Sequence, residues 1–223
     1  MAIVKPGQVG DFNGKIGQVV LTKWRDVNVG RSAPKKSTKP PTLARLDQQS
    51  KFGLVTGFLG SIADLLAIGY QSSGSANLTP MNTAVRYHLS NAVTGVYPNY
   101  QLDYTKVVIS NANVKGEIDG GYTVSATAVA DAKVTVTWLA SSADALANKL
   151  TSPTDQLYLV FYNITKARFV TFEGKGTRDA LTTTVQIPRS FVGNKIHAYM
   201  FFVSPDGKSV SVSEQLGVLT LLA

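Results

Sequence analysis

From Leu102 to the C-terminus, hydrophobic and polar residues alternate with a period of two. YTKVVIS, GYTVSATAVA, KVTVTWLA, DQLYLVFYN, KARFVTFEG, LTTTVQIP, KIHAYMFFVS and SVSEQLGVLTL follow one another in this way. Turn chemistry separates them: Asp119-Gly120-Gly121, Ser152-Pro153-Thr154-Asp155, Gly174-Lys175-Gly176 and Pro205-Asp206-Gly207. Val134, Val136 and Trp138 fall on one side of their run, and Leu157, Leu159 and Phe161 alternate with Tyr158, Val160 and Tyr162. Seven or eight short strands, each able to bury one face, predict an Ig-like antiparallel β-sandwich over residues 101–223.

Upstream the period changes to three and four. Val55, Phe58, Leu59, Ile62, Leu65, Leu66 and Gly69 lie on one stripe, which predicts a helix of about 25 residues. A second helix is punctuated by Thr79 as N-cap, Pro80 at its first position and Gly95 past its end, with Met81, Ala84, Val85, Leu89, Ala92 and Val93 as its stripe. The two are expected to pack as an antiparallel pair, making residues 42–100 a two-helix segment.

Residues 1–41 fit neither pattern. Gly7, Gly10, Gly14, Gly17 and Gly30 together with Pro6, Pro34, Pro40 and Pro41 break helices and keep strands short. KIGQVVLTKW and VNVGRSA read as a β-hairpin around Arg25-Asp26, and APKKSTKPP as an extended basic strap. The fold class is therefore mainly β (α+β): an extended arm with a hairpin, two helices, and a sandwich.

Charge sharpens the division. Residues 1–51 hold ten Lys/Arg against three Asp, so they carry +7 of the chain's +8. Cys is absent, which removes thiolate chemistry and leaves the redox compartment open. The apolar window from Phe52 to Ile68 is interrupted by Gly53, Gly57, Gly60, Ser61 and Asp64, too polar to span a bilayer. No apolar run of signal-peptide length precedes the first Gly and Pro. With Met1 as the native start, Sec export is not expected, and synthesis in the cytoplasm leaves a virion or non-Sec extracellular destination open.

Three stretches carry a resemblance: GDFNGKIGQVVLTKWRDVNVGRSAPKKSTKPPTLARLDQQSKF; LTPMNTAVRYHLSNAVTG with the following YPNYQLDYTKVVIS; and VSPDGKSVSVSEQLGVL. Together they resemble an uncharacterised family abundant in Bacteroidetes genomes, a domain of unknown function, which implies no activity, substrate or catalytic residue. The opening, GKIGxxV followed by basic residues and a Pro-rich strap, is similar to the N-termini of small phage and prophage structural proteins.

Chemistry-bearing patterns are sparse. Gly14-Lys15 is followed by Ile16-Gly17 rather than Ser or Thr and a helix, so it is no phosphate loop. His88 and His197 are the only histidines and have no second ligand pattern beside them. Asp119, Asp131, Asp155, Asp179 and Asp206 sit largely in turns, and Glu is limited to Glu117, Glu173 and Glu214. No catalytic residue, metal or cofactor is expected.

The expectation is a non-enzymatic structural protein that assembles with copies of itself as a ring, filament or virion-like particle. Phe12, Ile16, Val19, Leu21, Trp24, Val27 and Val29, with Val20 between them, would supply apolar anchors and strand edges for docking on a neighbour. Lys23, Arg25, Arg31, Lys35, Lys36 and Lys39 are the candidate basic contacts. The alternatives are nucleic-acid binding, in which these cations meet phosphates and Trp24 stacks on a base, an adhesin-like sandwich that recognises a glycan or protein with its loops, and an arm that folds back on its own body.

Overall fold

The computed structural model describes residues 2–4, 13–24, 27–35, 38–71, 78–110, 118–139 and 151–223, with Ala2–Val4 and Trp24 described as backbone alone. Its compact units are Met1–Leu43 and Ala44–Ala223.

In the larger unit, the period-two runs form two antiparallel sheets. Numbering strands in chain order from the N-terminus, three pair as β11–β8–β7: β7 (Tyr122–Val129), β8 (Lys133–Leu139) and β11 (Thr182–Gln186). Four pair as β10–β9–β12–β13: β9 (Gln156–Asn163), β10 (Arg168–Phe172), β12 (Lys195–Val203) and β13 (Glu214–Thr220). Val134, Val136 and Trp138 from β8 meet Leu157, Leu159 and Phe161 from β9 and Ile196, Ala198, Met200 and Phe202 from β12 in a continuous apolar core. Each such side chain contributes roughly 1.5–3 kcal/mol on leaving water.

The central strands β9 and β12 are buried on both faces, which alternation alone does not reveal. Val160 and Tyr162 of β9, with Tyr199, Phe201 and Val203 of β12, pack in a second core against the helices. KIHAYMFFV and QLYLVFYN are therefore nearly continuous apolar runs, as strands covered on two sides require. Helices, four-stranded sheet and three-stranded sheet make three layers, and residues 44–100 share a core with the sandwich.

The expected 25-residue helix is two. α1 (Leu43–Gly60) and α2 (Ala63–Gly69) meet at a bend of 86°. The break falls at Gly60-Ser61, where a glycine adds backbone freedom and the Ser61 hydroxyl donates to the Phe58 carbonyl at 3.1 Å. Bending lets Val55, Phe58 and Leu59 of α1 and Leu65 and Leu66 of α2 reach one core. Gly69 ends α2 where the chain passes close to another backbone: a Cβ there would lie 2.4 Å from the Ile109 carbonyl oxygen.

α3 (Pro80–Asn91) begins as the sequence predicts, with Thr79 accepting from the Asn82 amide at 3.2 Å and Pro80 at the first position. Its expected C-terminal glycine does another job. The helix is capped at Ala92, and Gly95, at φ +92°, belongs to a hairpin of β5 (Val93–Val96) and β6 (Asn99–Leu102). The Tyr100 hydroxyl donates to the Asp47 carboxylate, tying this hairpin to α1. Hydrogen bonding to Tyr100, and next to Lys51, holds Asp47 below the usual carboxylate range.

YTKVVIS is not a strand. Asp103 accepts from the Thr105 amide at 3.0 Å and starts a 3-10 turn over Tyr104–Lys106, after which the chain runs as an irregular strap to Ser110. Its backbone is satisfied by side chains: the Val108 amide donates to His88 Nε2 at 3.3 Å, and the Ile109 amide to Ser213 Oγ at 2.8 Å. Val107 and Ile109 are apolar because they plug the helix-side core, not because they alternate across a sheet.

Candidate assembly site

The smaller unit extends the predicted hairpin to four antiparallel strands in the order β1–β4–β3–β2. They are β1 (Ala2–Val4), β2 (Gly14–Ile16), β3 (Val19–Trp24) and β4 (Val27–Ser32). β3 and β4 pair as an antiparallel hairpin from Val19↔Ser32 to Trp24↔Val27, and the Arg25-Asp26 pair at which the turn is expected lies outside the described residues. Among the described residues, β1 and β2 each pair on one side only, so both are edges.

Register sorts the candidate anchors onto two faces. Ile16 is opposite Val19, and Leu21 follows two residues on, so these three share a face. Val29 is opposite Thr22 and Val27 opposite Trp24, which puts Val27 and Val29 with Val20 on the other face. The seven anchors therefore do not form one patch: three lie on one face and Val27 and Val29 on the reverse, while Trp24 is described by its pairing and Phe12 lies outside the described residues.

None of the described side chains in this sheet is buried; its one buried residue is Gly30. Ile16 is 63% exposed and Val19 46%. A single layer with apolar residues on both faces has no interior, and a sheet of this kind gains stability by laying a face on another element.

The cations are also divided. Lys23 shares the Val19/Leu21 face, whereas Lys15 and Arg31, both opposite Val20, are on the reverse. Lys35 and Lys39 are exposed on the strap after β4. Arg25 and Lys36 lie outside the described residues.

In the larger unit Arg178 and Asp155 form a buried ion pair. Arg178, only 2% exposed, donates from Nε to Asp155 Oδ2 at 3.1 Å, from Nη1 to the Gly120 carbonyl at 3.0 Å and from Nη2 to the Asp119 carbonyl at 2.6 Å. Its guanidinium carbon lies 4.0 Å from the centroid of the Phe202 ring, and the Trp138 indole donates to its carbonyl at 2.8 Å. This latch joins three loops at one end of the sandwich. No periodicity announces it, because Arg178 and Asp155 look like ordinary turn residues in sequence.

A hollow of about 190 Å³ opens between α1 and the four-stranded sheet, lined chiefly by Leu54, Gly57, Phe58, Tyr104, Tyr162 and Phe169. Burial, and then the hydrogen bond with Tyr104, pushes the Tyr162 hydroxyl up to about 12. The hollow offers ring faces and phenols but no carboxylate, imidazole or cation. Among the described residues no three His, Asp or Glu side chains converge on a point where a metal ion could sit. No single described helix is long and apolar enough to cross a membrane; α1 and α2 together would be, yet their apolar residues are spent on the core.

Residues 11–217 match one family model. The chain belongs to the DUF6266 family. That is a family of unknown function, so membership fixes ancestry for β2 through most of β13 and assigns no reaction. No curated protein matches the chain. Among solved structures, the fifth fibronectin domain of Drosophila Lar is similar over 48% of this chain and 97% of its own, at 14% identity and a TM-score of 0.33. The fn3 domain of human collagen alpha-1(XX) is similar over 51% of this chain and 94% of its own, at 7% identity and a TM-score of 0.36. The sandwich assignment itself rests on the two sheets and their shared core.

Proposed function

We propose that this DUF6266 chain is a non-enzymatic structural subunit that assembles with copies of itself, its N-terminal sheet docking on a neighbouring copy. The observation that carries this reading is the lack of any buried side chain in the described part of that sheet. The outer edges of β1 and β2, unpaired among the described residues, supply main-chain donors and acceptors, and the Ile16/Val19/Leu21 face supplies apolar anchors, so an incoming sheet edge or apolar surface satisfies both at once. Docking of one copy's arm on the next body is a head-to-tail contact, which closes into a ring or continues as a filament according to its rotation. Phosphate binding is not favoured, because Lys23 and Arg31 are on opposite faces and do not track one backbone.

Light scattering coupled to size-exclusion chromatography on the full chain and on a chain starting at Ala44 tests it. Assembly by the full chain and a monomer without residues 1–43 are expected. A monomer in both cases overturns the proposal. In the full chain, Val19→Asp is expected to shift the population to monomer; an unchanged mass would show that this face is not the docking face.

A further inference from the structure

The chain has two histidines, 109 positions apart in sequence, and both close on the same short strap. His88, on α3, is fully buried; its Nδ1 lies 2.7 Å from the Ala84 carbonyl and its Nε2 accepts from the Val108 amide. That pair of partners requires the neutral ring with its proton on Nδ1, since a protonated Nε2 could not accept. His197, on β12, is 6% exposed and packs on Tyr104 with ring centroids 4.8 Å apart, and its Nδ1 has no hydrogen-bond partner among the described residues.

Within the strap the Asp103 carboxylate caps the 3-10 turn and lies 3.7 Å from the Lys106 ammonium; the groups that hold the strap to the helices and sheet are neutral. The Tyr70 hydroxyl donates to the Val108 carbonyl at 2.9 Å and the Tyr199 hydroxyl to the Tyr104 carbonyl at 2.8 Å. Ser213 Oγ accepts from the Ile109 amide, and the Ser110 hydroxyl donates to the Ser211 carbonyl at 2.6 Å. The strap inserts Val107 and Ile109 into the core between helices and sheet.

We infer that residues 103–110 form an acid-releasable clasp, closed while His88 and His197 are neutral and loosened when they take up protons. Around His88 the titratable neighbours are Tyr87, 5.4 Å away between rings, and Tyr70, which binds the same strap residue. Neither compensates an imidazolium. Around His197 they are Tyr104, Tyr162, Tyr199 and, from the strap itself, Asp103, the single carboxylate whose charge favours protonation. Burial outweighs it, so both imidazoles are held below their ordinary value of 6.5. The released strap then binds more protons than the closed one. Closure is complete above about pH 6.5 and weakens as pH falls, by about tenfold in the opening constant per pH unit for each histidine until its closed-state value is reached. The device lies within the larger unit and does not depend on how the N-terminal sheet docks.

Hydrogen exchange of the full chain between pH 7.5 and 5, corrected for intrinsic exchange, tests this on the Val108 and Ile109 amides, with the amides of β9 as reference. Strap protection is expected to fall at least tenfold over this range while β9 changes little. His197→Phe, which keeps a ring against Tyr104, should flatten the slope, and His88→Gln with His197→Phe should abolish it. Constant strap protection, an equal fall in β9, or a wild-type slope in His197→Phe would overturn the inference; the last result decides the matter even if the double variant does not fold.

Discussion

Replacing Arg178 with methionine removes the guanidinium that closes one end of the sandwich and leaves a carboxylate behind it. Asp155 is fully buried; without Arg178 it keeps the Ser152 amide at 3.0 Å, while its Oδ1 already has no partner among the described residues. The Asp119 and Gly120 carbonyls each lose a donor, and Phe202 loses the cation over its ring. Breaking a buried ion pair from one side costs about 3–5 kcal/mol, chiefly because a buried charge is left unpaired. A domain has only about 5–15 kcal/mol in total, so the loss is a large share. For a unit of this size it corresponds to a fall in Tm of roughly 6–20 °C. Urea unfolding at pH 7 followed by far-UV circular dichroism reads the change directly. Asp155→Leu combined with Arg178→Met removes the stranded charge and forfeits the hydrogen bonds to the Asp119 and Gly120 carbonyls and from the Ser152 amide, about 1 kcal/mol each. The double variant should therefore be more stable than Arg178→Met alone. A cost below about 1 kcal/mol for Arg178→Met, or a double variant as unstable as the sum of its parts, would refute the latch.

Three other substitutions follow from the same structure. Gly53→Ala and Gly57→Ala add a methyl group to an α-helical position with no atom within 4 Å, so each should raise the stability of the larger unit by about 1 kcal/mol through helix propensity; a lowered thermal midpoint would show that the space above them is filled. Burial raises the Glu214 carboxyl above its ordinary value of 4.5, which means that its charge opposes folding at neutral pH. Glu214→Gln should increase the urea midpoint at pH 7 and lose that advantage below pH 4.5, where the wild-type group is protonated in both states; an equal gain at both pH values would contradict the assignment.

Much of the fold was legible because its signals are local. Thr79-Pro80 marked the start of α3, seven of the eight period-two runs became strands, and the N-terminal runs pair as an antiparallel hairpin of β3 and β4. Misreadings arose where one signal serves two masters. YTKVVIS has the composition of a strand, but the Asp103 cap and the pocket for Val107 and Ile109 made it a strap. Gly95 reads as a helix stop yet provides the positive φ of a hairpin. Among the described residues the candidate anchors Ile16, Val19, Leu21, Trp24, Val27 and Val29 are on strands, and only the register divided them between two faces.

The order of side chains by itself determined which segments become helix, strand or arm, because hydrophobic period, capping and turn residues act within a few positions of one another. It also set the separation of the basic N-terminal unit from a nearly neutral body. Tertiary structure alone decided that β9 and β12 are covered on both faces, that α1 and α2 bend to share a core, that Arg178 finds Asp155 and that His88 and His197 meet over one strap. Those pairings join residues tens of positions apart, and no local pattern encodes which distant surface will exclude water from a given side chain.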